Sequence, residues 1–114
     1  MYSYLVKYKL CLWILITYWD DKLDNKPIIG IAWFNNSDWD EWRKISEDKL
    51  EDNYDNWLVE ASLSKSKLED QGFIVKQVSI SPINFKNWCK KKNKKLDSSS
   101  RSEYVTELLL KANS

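Results

Sequence analysis

The amino-acid sequence predicts an α/β (or α+β) chain, a small sheet covered by four helices in the order (β)-βαα-βαα. Three observations carry this. The stretch Gly72–Ser81 reads as a strand, with Gly72 closing the helix before it and Ser81-Pro82 opening the helix after it. A second apolar run, Ile28–Phe34, is bounded by Pro27 and by Asn35-Asn36. Each of these two strands is followed by two segments with apolar residues at helical spacing.

Residues 1–26 stand apart from this pattern. Leu10–Trp19 is the most apolar window of the chain, and ten residues are too few to span a bilayer, which needs about 20. Lys7 and Lys9 ahead of Leu10–Ile16 have the order of a signal peptide, but Thr17-Tyr18-Trp19-Asp20-Asp21 provides no small-residue cleavage site. The β-branched and aromatic content reads instead as an added strand within 4–18, or as an extension ahead of the domain. The single compact domain is placed at 27–114, after the polar turn 20–27.

Within that domain, Ser37 is the candidate N-cap of a helix whose face is marked by Trp39, Trp42 and Ile45 or Ser46, with Asp38, Asp40 and Glu41 at the positive end of its dipole. The segment 46–53 interrupts the apolar pattern and holds Leu50. Tyr54, Trp57, Leu58, Ala61, Leu63 and Leu68 predict a helix from 54 to 70. In the strand that follows, apolar residues fall on both faces, so both should be covered. Pro82 to Cys89 carry the next helical stripe, and Asn93 is its stop. Leu96 plugs the linker, Ser98 to Ser100 offer an N-cap, and Tyr104, Val105, Leu108 and Leu109 mark the last helix. A shift of 46 residues superposes Ile28 on Ile74, Trp42 on Trp88 and Leu50 on Leu96, which suggests an internal duplication. Two core strands make a poor sheet, so a homodimer that extends it is a further expectation.

Composition narrows the chemistry. The chain has 114 residues, seven Trp, two Cys and no His. Without His, Ser-His-Asp and Cys-His catalysis are ruled out, and the commonest metal ligand is missing. Cys11 and Cys89 lack the spacing of a zinc site; a bond between them is one alternative, and a small core hydrophobe is the preferred reading of each. No catalytic residue, metal site or cofactor is assigned.

Charge is unevenly spread. Residues 35–72 carry five basic and eleven acidic side chains, a balance of −6, while residues 73–114 carry nine basic and three acidic, a balance of +6. Lys86, Lys90, Lys91, Lys92, Lys94 and Lys95, with Arg101, form the candidate nucleic-acid surface, since phosphate contacts need such a patch. No aromatic alternates with them, and a solvated helix end is the preferred reading. Asp38, Asp40, Glu41, Asp48, Glu51, Asp52 and Asp55 read as a solvated acidic face, because a Ca²⁺ loop would need a central Gly. Trp33, Trp39, Trp42, Trp57 and Trp88 read as core aromatics rather than a ligand pocket. Ser98-Ser99-Ser100-Arg101 reads as a capped loop, with phosphorylation as the alternative.

The residues Ile29-Gly-Ile-Ala-Trp-Phe34, Trp39–Ser46, Leu50–Leu58, Gly72, Val75–Val78, Trp88-Cys89, Leu96-Asp97 and Arg101–Val105 together resemble a family of small uncharacterised bacterial proteins. The resemblance spans Ile29 to Leu110. It brings no catalytic role, and it leaves residues 1–26 outside. The function expected is that of a non-catalytic cytoplasmic protein acting through protein–protein contacts. A nucleic-acid-associated accessory protein using Lys86–Arg101 is the alternative, and an enzyme using carboxylates or lysine ranks third. No membrane partner is expected.

Overall fold

The computed structural model describes the backbone of residues 4–8, 12–20 and 26–112 and the side chains of residues 27–112. The order is β1 (Tyr4–Tyr8), β2 (Leu12–Asp20), β3 (Lys26–Trp33), α1 (Trp39–Ile45), α2 (Tyr54–Asp70), β4 (Ile74–Ser79), α3 (Pro82–Lys92) and α4 (Ser98–Ala112). The strands form one sheet in the order β1-β2-β3-β4. The pairs β1–β2 and β2–β3 are antiparallel, and β3–β4 is parallel. A parallel pair needs a long crossover, and α1 and α2 supply it. The fold is therefore mixed α/β. Where one added strand was expected within 4–18, the sheet takes two.

Helix α2 ends through a Schellman motif. Gly72 adopts φ +97°, its N–H donates to Glu69 O at 3.0 Å, and Phe73 N–H donates to Leu68 O at 3.1 Å. Leu68 and Phe73 then pack together, as this motif favours. Asn93 does the same for α3 at φ 55°, with Lys94 N–H donating to Cys89 O at 2.8 Å. Ser81 caps α3, its Oγ accepting from Asn84 N–H at 3.3 Å.

Two caps differ from expectation. Ser37 caps no helix: residues Asn36–Asp38 tighten into a 3₁₀ turn, Asp38 N–H donates to Asn35 O at 3.0 Å, and α1 starts only at Trp39. At α4 the cap is Asp97, whose Oδ1 accepts from Ser100 N–H at 3.0 Å. A carboxylate is the stronger acceptor, and Ser98 to Ser100 become the first turn instead.

The sheet is covered on both faces of β3. On one face Ile29 packs with Leu68 and Val75, beside Ile31 and Phe73. On the other, α4 lies across β2 and β3. Gly30 makes that approach feasible: a Cβ there would meet Leu109 Cδ1 at 2.5 Å and Val105 Cγ1 at 2.7 Å. On β4, Val75 is buried and Ile74 and Val78 are half-buried, whereas Lys76, Gln77 and Ser79 are exposed. Coverage of both faces is thus only partial, because β4 is the last strand of the sheet.

The main core is aromatic. Trp57 meets Phe34 at 4.9 Å, Trp33 at 5.2 Å, Tyr54 at 5.4 Å and Trp39 at 5.8 Å between ring centroids. Trp42 lies 4.6 Å from Phe34 and 5.5 Å from Phe85, which links this group to Tyr104. Trp39, Trp42 and Trp57 are buried, and Trp33 and Trp88 are half-buried. The indole N–H groups of Trp39 and Trp42 are buried with no acceptor among the described residues. Ring burial and packing offset that desolvation.

Candidate functional site

Two loops from different parts of the chain are tied together. Glu47 N–H donates to Leu96 O at 2.7 Å, and Leu96 N–H donates to Glu47 Oε2 at 2.6 Å. This places the 46–53 segment against the start of α4. Between that segment, α2 and α4 opens a cleft of about 500 Å³. Phe34, Trp57 and Ala61 give it apolar lining, with Gly30 to Ala32 of β3. Asp48, Lys49, Glu51, Glu60, Ser99 and Arg101 are among its polar groups.

Arg101 stands apart from the lysines with which its charge grouped it. It is 6% exposed, and its guanidinium donates to Asp48 Oδ1 at 3.0 Å and Oδ2 at 2.6 Å. Ser46 Oγ accepts at 3.4 Å, and the Phe34 ring lies 5.9 Å from the guanidinium carbon. Asp48 in turn leaves the solvated acidic face to which it was assigned. A bidentate pair of this kind neutralises both charges and fixes their geometry. Neither the buried arginine nor its partner can be told from other charges by sequence, since they lie 53 positions apart.

The lysines are placed differently. Lys86, Lys90, Lys91, Lys92, Lys94 and Lys95 are all exposed. Lys94 Nζ lies 2.6 Å from Glu103 Oε2, and that contact raises its pKa. Lysines 90 to 92 occupy the last turn of α3, where positive charge suits the dipole.

Other titratable groups are structural. Burial, aided by nearby Asp97, pushes the Cys89 thiol up to about 11, and its S–H donates to Lys95 O at 3.7 Å. Such a thiol is a poor nucleophile. Cys89 is free; Cys11 lies outside the described residues. Trp88 Nε1–H donates to Glu107 Oε2 at 2.8 Å, and this bond, with one from Lys111, holds the Glu107 carboxyl below its ordinary range. Burial raises the Tyr104 hydroxyl.

Among the described residues, no group of three His, Cys, Asp or Glu side chains could hold a metal ion, and no helix is long and apolar enough to cross a membrane. Comparison with protein-family models, curated proteins and solved structures finds no match to this chain.

Proposed function

We propose that this is a non-catalytic protein of the cytoplasm that works by holding another protein. The observation that supports this is on α2, where Val59 and Leu63, one turn apart, are 57% and 48% exposed. Exposed apolar neighbours on one helix face favour a protein partner. Glu60 falls between them and the cleft lining of Trp57 and Ala61, because successive residues turn by about 100° on a helix. A partner covering Val59 and Leu63 therefore reaches the cleft mouth. The Cys89 thiol, free and inert, suits a reducing compartment.

A second reading rests on a separate observation, the exposed lysines of α3 and the loop after it. Here the protein is an accessory to nucleic acid, bound through phosphate contacts. Affinity capture from native lysate, with and without nuclease, separates the two. The protein-partner reading expects nuclease-resistant capture that V59D/L63D abolishes while keeping its melting temperature. Nuclease-sensitive capture, lost when Lys90, Lys91, Lys94 and Lys95 become Gln, would replace it with the second.

We also infer that the two βαα units share an origin, as the 46-residue shift in the apolar pattern suggests. The register of β3 and β4 supports this, since Ile28 pairs with Ile74 and Ala32 with Val78, each 46 positions apart. Half-to-half similarity at that offset across related chains, no greater than at other offsets, would count against it.

A further inference from the structure

The charge layout points to a second copy of this chain as one partner. This rests on the protein-contact reading, but uses different residues from Val59 and Leu63. Folding does not cancel the −6 and +6 balances of residues 35–72 and 73–114. The Arg101–Asp48 pair joins the two segments, while Arg43–Asp52, Lys65–Glu69, Lys94–Glu103 and Lys111–Glu107 each stay within one. Glu51 and Glu60 in the cleft lining, Lys90 and Lys91 in the last turn of α3 and Lys95 in the loop after it have no ion-pair partner among the described residues.

Lys95 of the basic set adjoins the cleft that Glu51 and Glu60 line. The loop with Lys94 and Lys95 runs directly into Leu96, bonded both ways to Glu47, and then into Ser98 and Ser99 of the cleft wall. Glu51, on the segment bonded to Leu96, and Glu60, on α2, line the same cleft. A surface with a negative patch beside a positive one is self-complementary under a twofold axis: each copy's carboxylates meet the other's lysines. We propose that the protein pairs with itself in this way, Glu51 and Glu60 of one protomer facing Lys90, Lys91 and Lys95 of its partner. Exposed charges supply orientation and speed more than affinity, so the dimer is weak and salt-sensitive.

Sedimentation velocity of the full chain tests this. At about 0.05 M salt a concentration-dependent dimer is expected, and at about 0.5 M, where screening acts within a few ångströms, mostly monomer. E51K/E60K and K90E/K91E/K95E should each be monomeric at low salt, since each sets like charges together. Mixed in equal amounts they should form a heterodimer, because both contacts then join opposite charges. A wild type that stays monomeric at low salt overturns the proposal, and so does a folded pair of variants that fails to associate on mixing. Either failure leaves the general reading standing if nuclease-resistant capture still depends on Val59 and Leu63. Loss of that dependence, with dimerisation intact, instead removes the general partner and keeps this one.

Discussion

Arg101 and Asp48 lie 53 positions apart and meet in the cleft lining through two hydrogen bonds, of 3.0 and 2.6 Å. The pair adds to the two Glu47–Leu96 bonds, one backbone to backbone and one from Leu96 N–H to the Glu47 carboxylate, in holding the 46–53 segment to α4. Removing one partner leaves the other's charge stranded. Asp48→Asn should therefore cost about 3 kcal/mol in chemical denaturation. Arg101→Met with Asp48→Leu should recover much of that loss, because no unpaired charge remains. Additive losses in the double variant would mean that the two residues act independently.

Trp42 and Trp88 separate burial from partial burial. Trp42 is fully enclosed between Phe34 and Phe85, so Trp42→Ala should cost about 3–5 kcal/mol. Trp88 is half-buried and spends its indole N–H on Glu107, so Trp88→Ala should cost less. Trp88→Phe keeps the ring contact with Tyr104 but not the bond, and its denaturation curve isolates that bond. Equal losses for both alanine variants would contradict the burial order.

Two groups set opposite pH limits. The lowered Glu107 carboxyl favours the charged form in the fold. Its contribution is present above the unfolded value of 4.5 and is lost as pH falls through the lower folded value. Cys89 favours its neutral form: its contribution is complete below 9.0 and is lost as pH rises toward about 11. Melting temperatures across pH should fall less steeply in acid for Glu107→Gln and less steeply in alkali for Cys89→Ala. The same thiol should react with a soluble disulfide reagent only as the protein unfolds.

Strand β2 pairs with β3 from Lys26 to Ile29, and α4 lies across both. A chain starting at Lys26 would bare that β3 edge and part of the α4 face. Bare edges recruit other strands, so the shortened chain should aggregate or lose its cooperative transition. A soluble shortened chain with an unchanged melting temperature would show that the domain begins at 27.

How much of this was legible in the sequence depends on the range of the forces involved. Helix α2 starts at Tyr54 and ends at Asp70, as its spacing and Gly72 predict, because capping and periodicity act within a few residues. Asn93 as the stop of α3, Pro82 as its start and Leu96 against the core are local in the same sense. The cap at Ser98 to Ser100 was missed by one position, because Asp97 competes for the same N–H and a carboxylate accepts more strongly. Ser37 failed because the chain turned tightly before α1 began.

What the sequence by itself determined is a mixed α/β chain with an aromatic core and opposite charges in its two halves. All of these follow from residue type and short-range order. Which charges leave the surface was decided only by the tertiary structure. Arg101 is one residue among seven in a basic stretch until folding brings Asp48, Ser46 and Phe34 around it. The lysines stay in water because nothing in the fold repays their desolvation. The cleft is likewise absent from any single segment: its lining comes from β3, the 46–53 loop, α2 and α4. Contacts across such separations depend on where packing places the elements, and no local pattern encodes that placement.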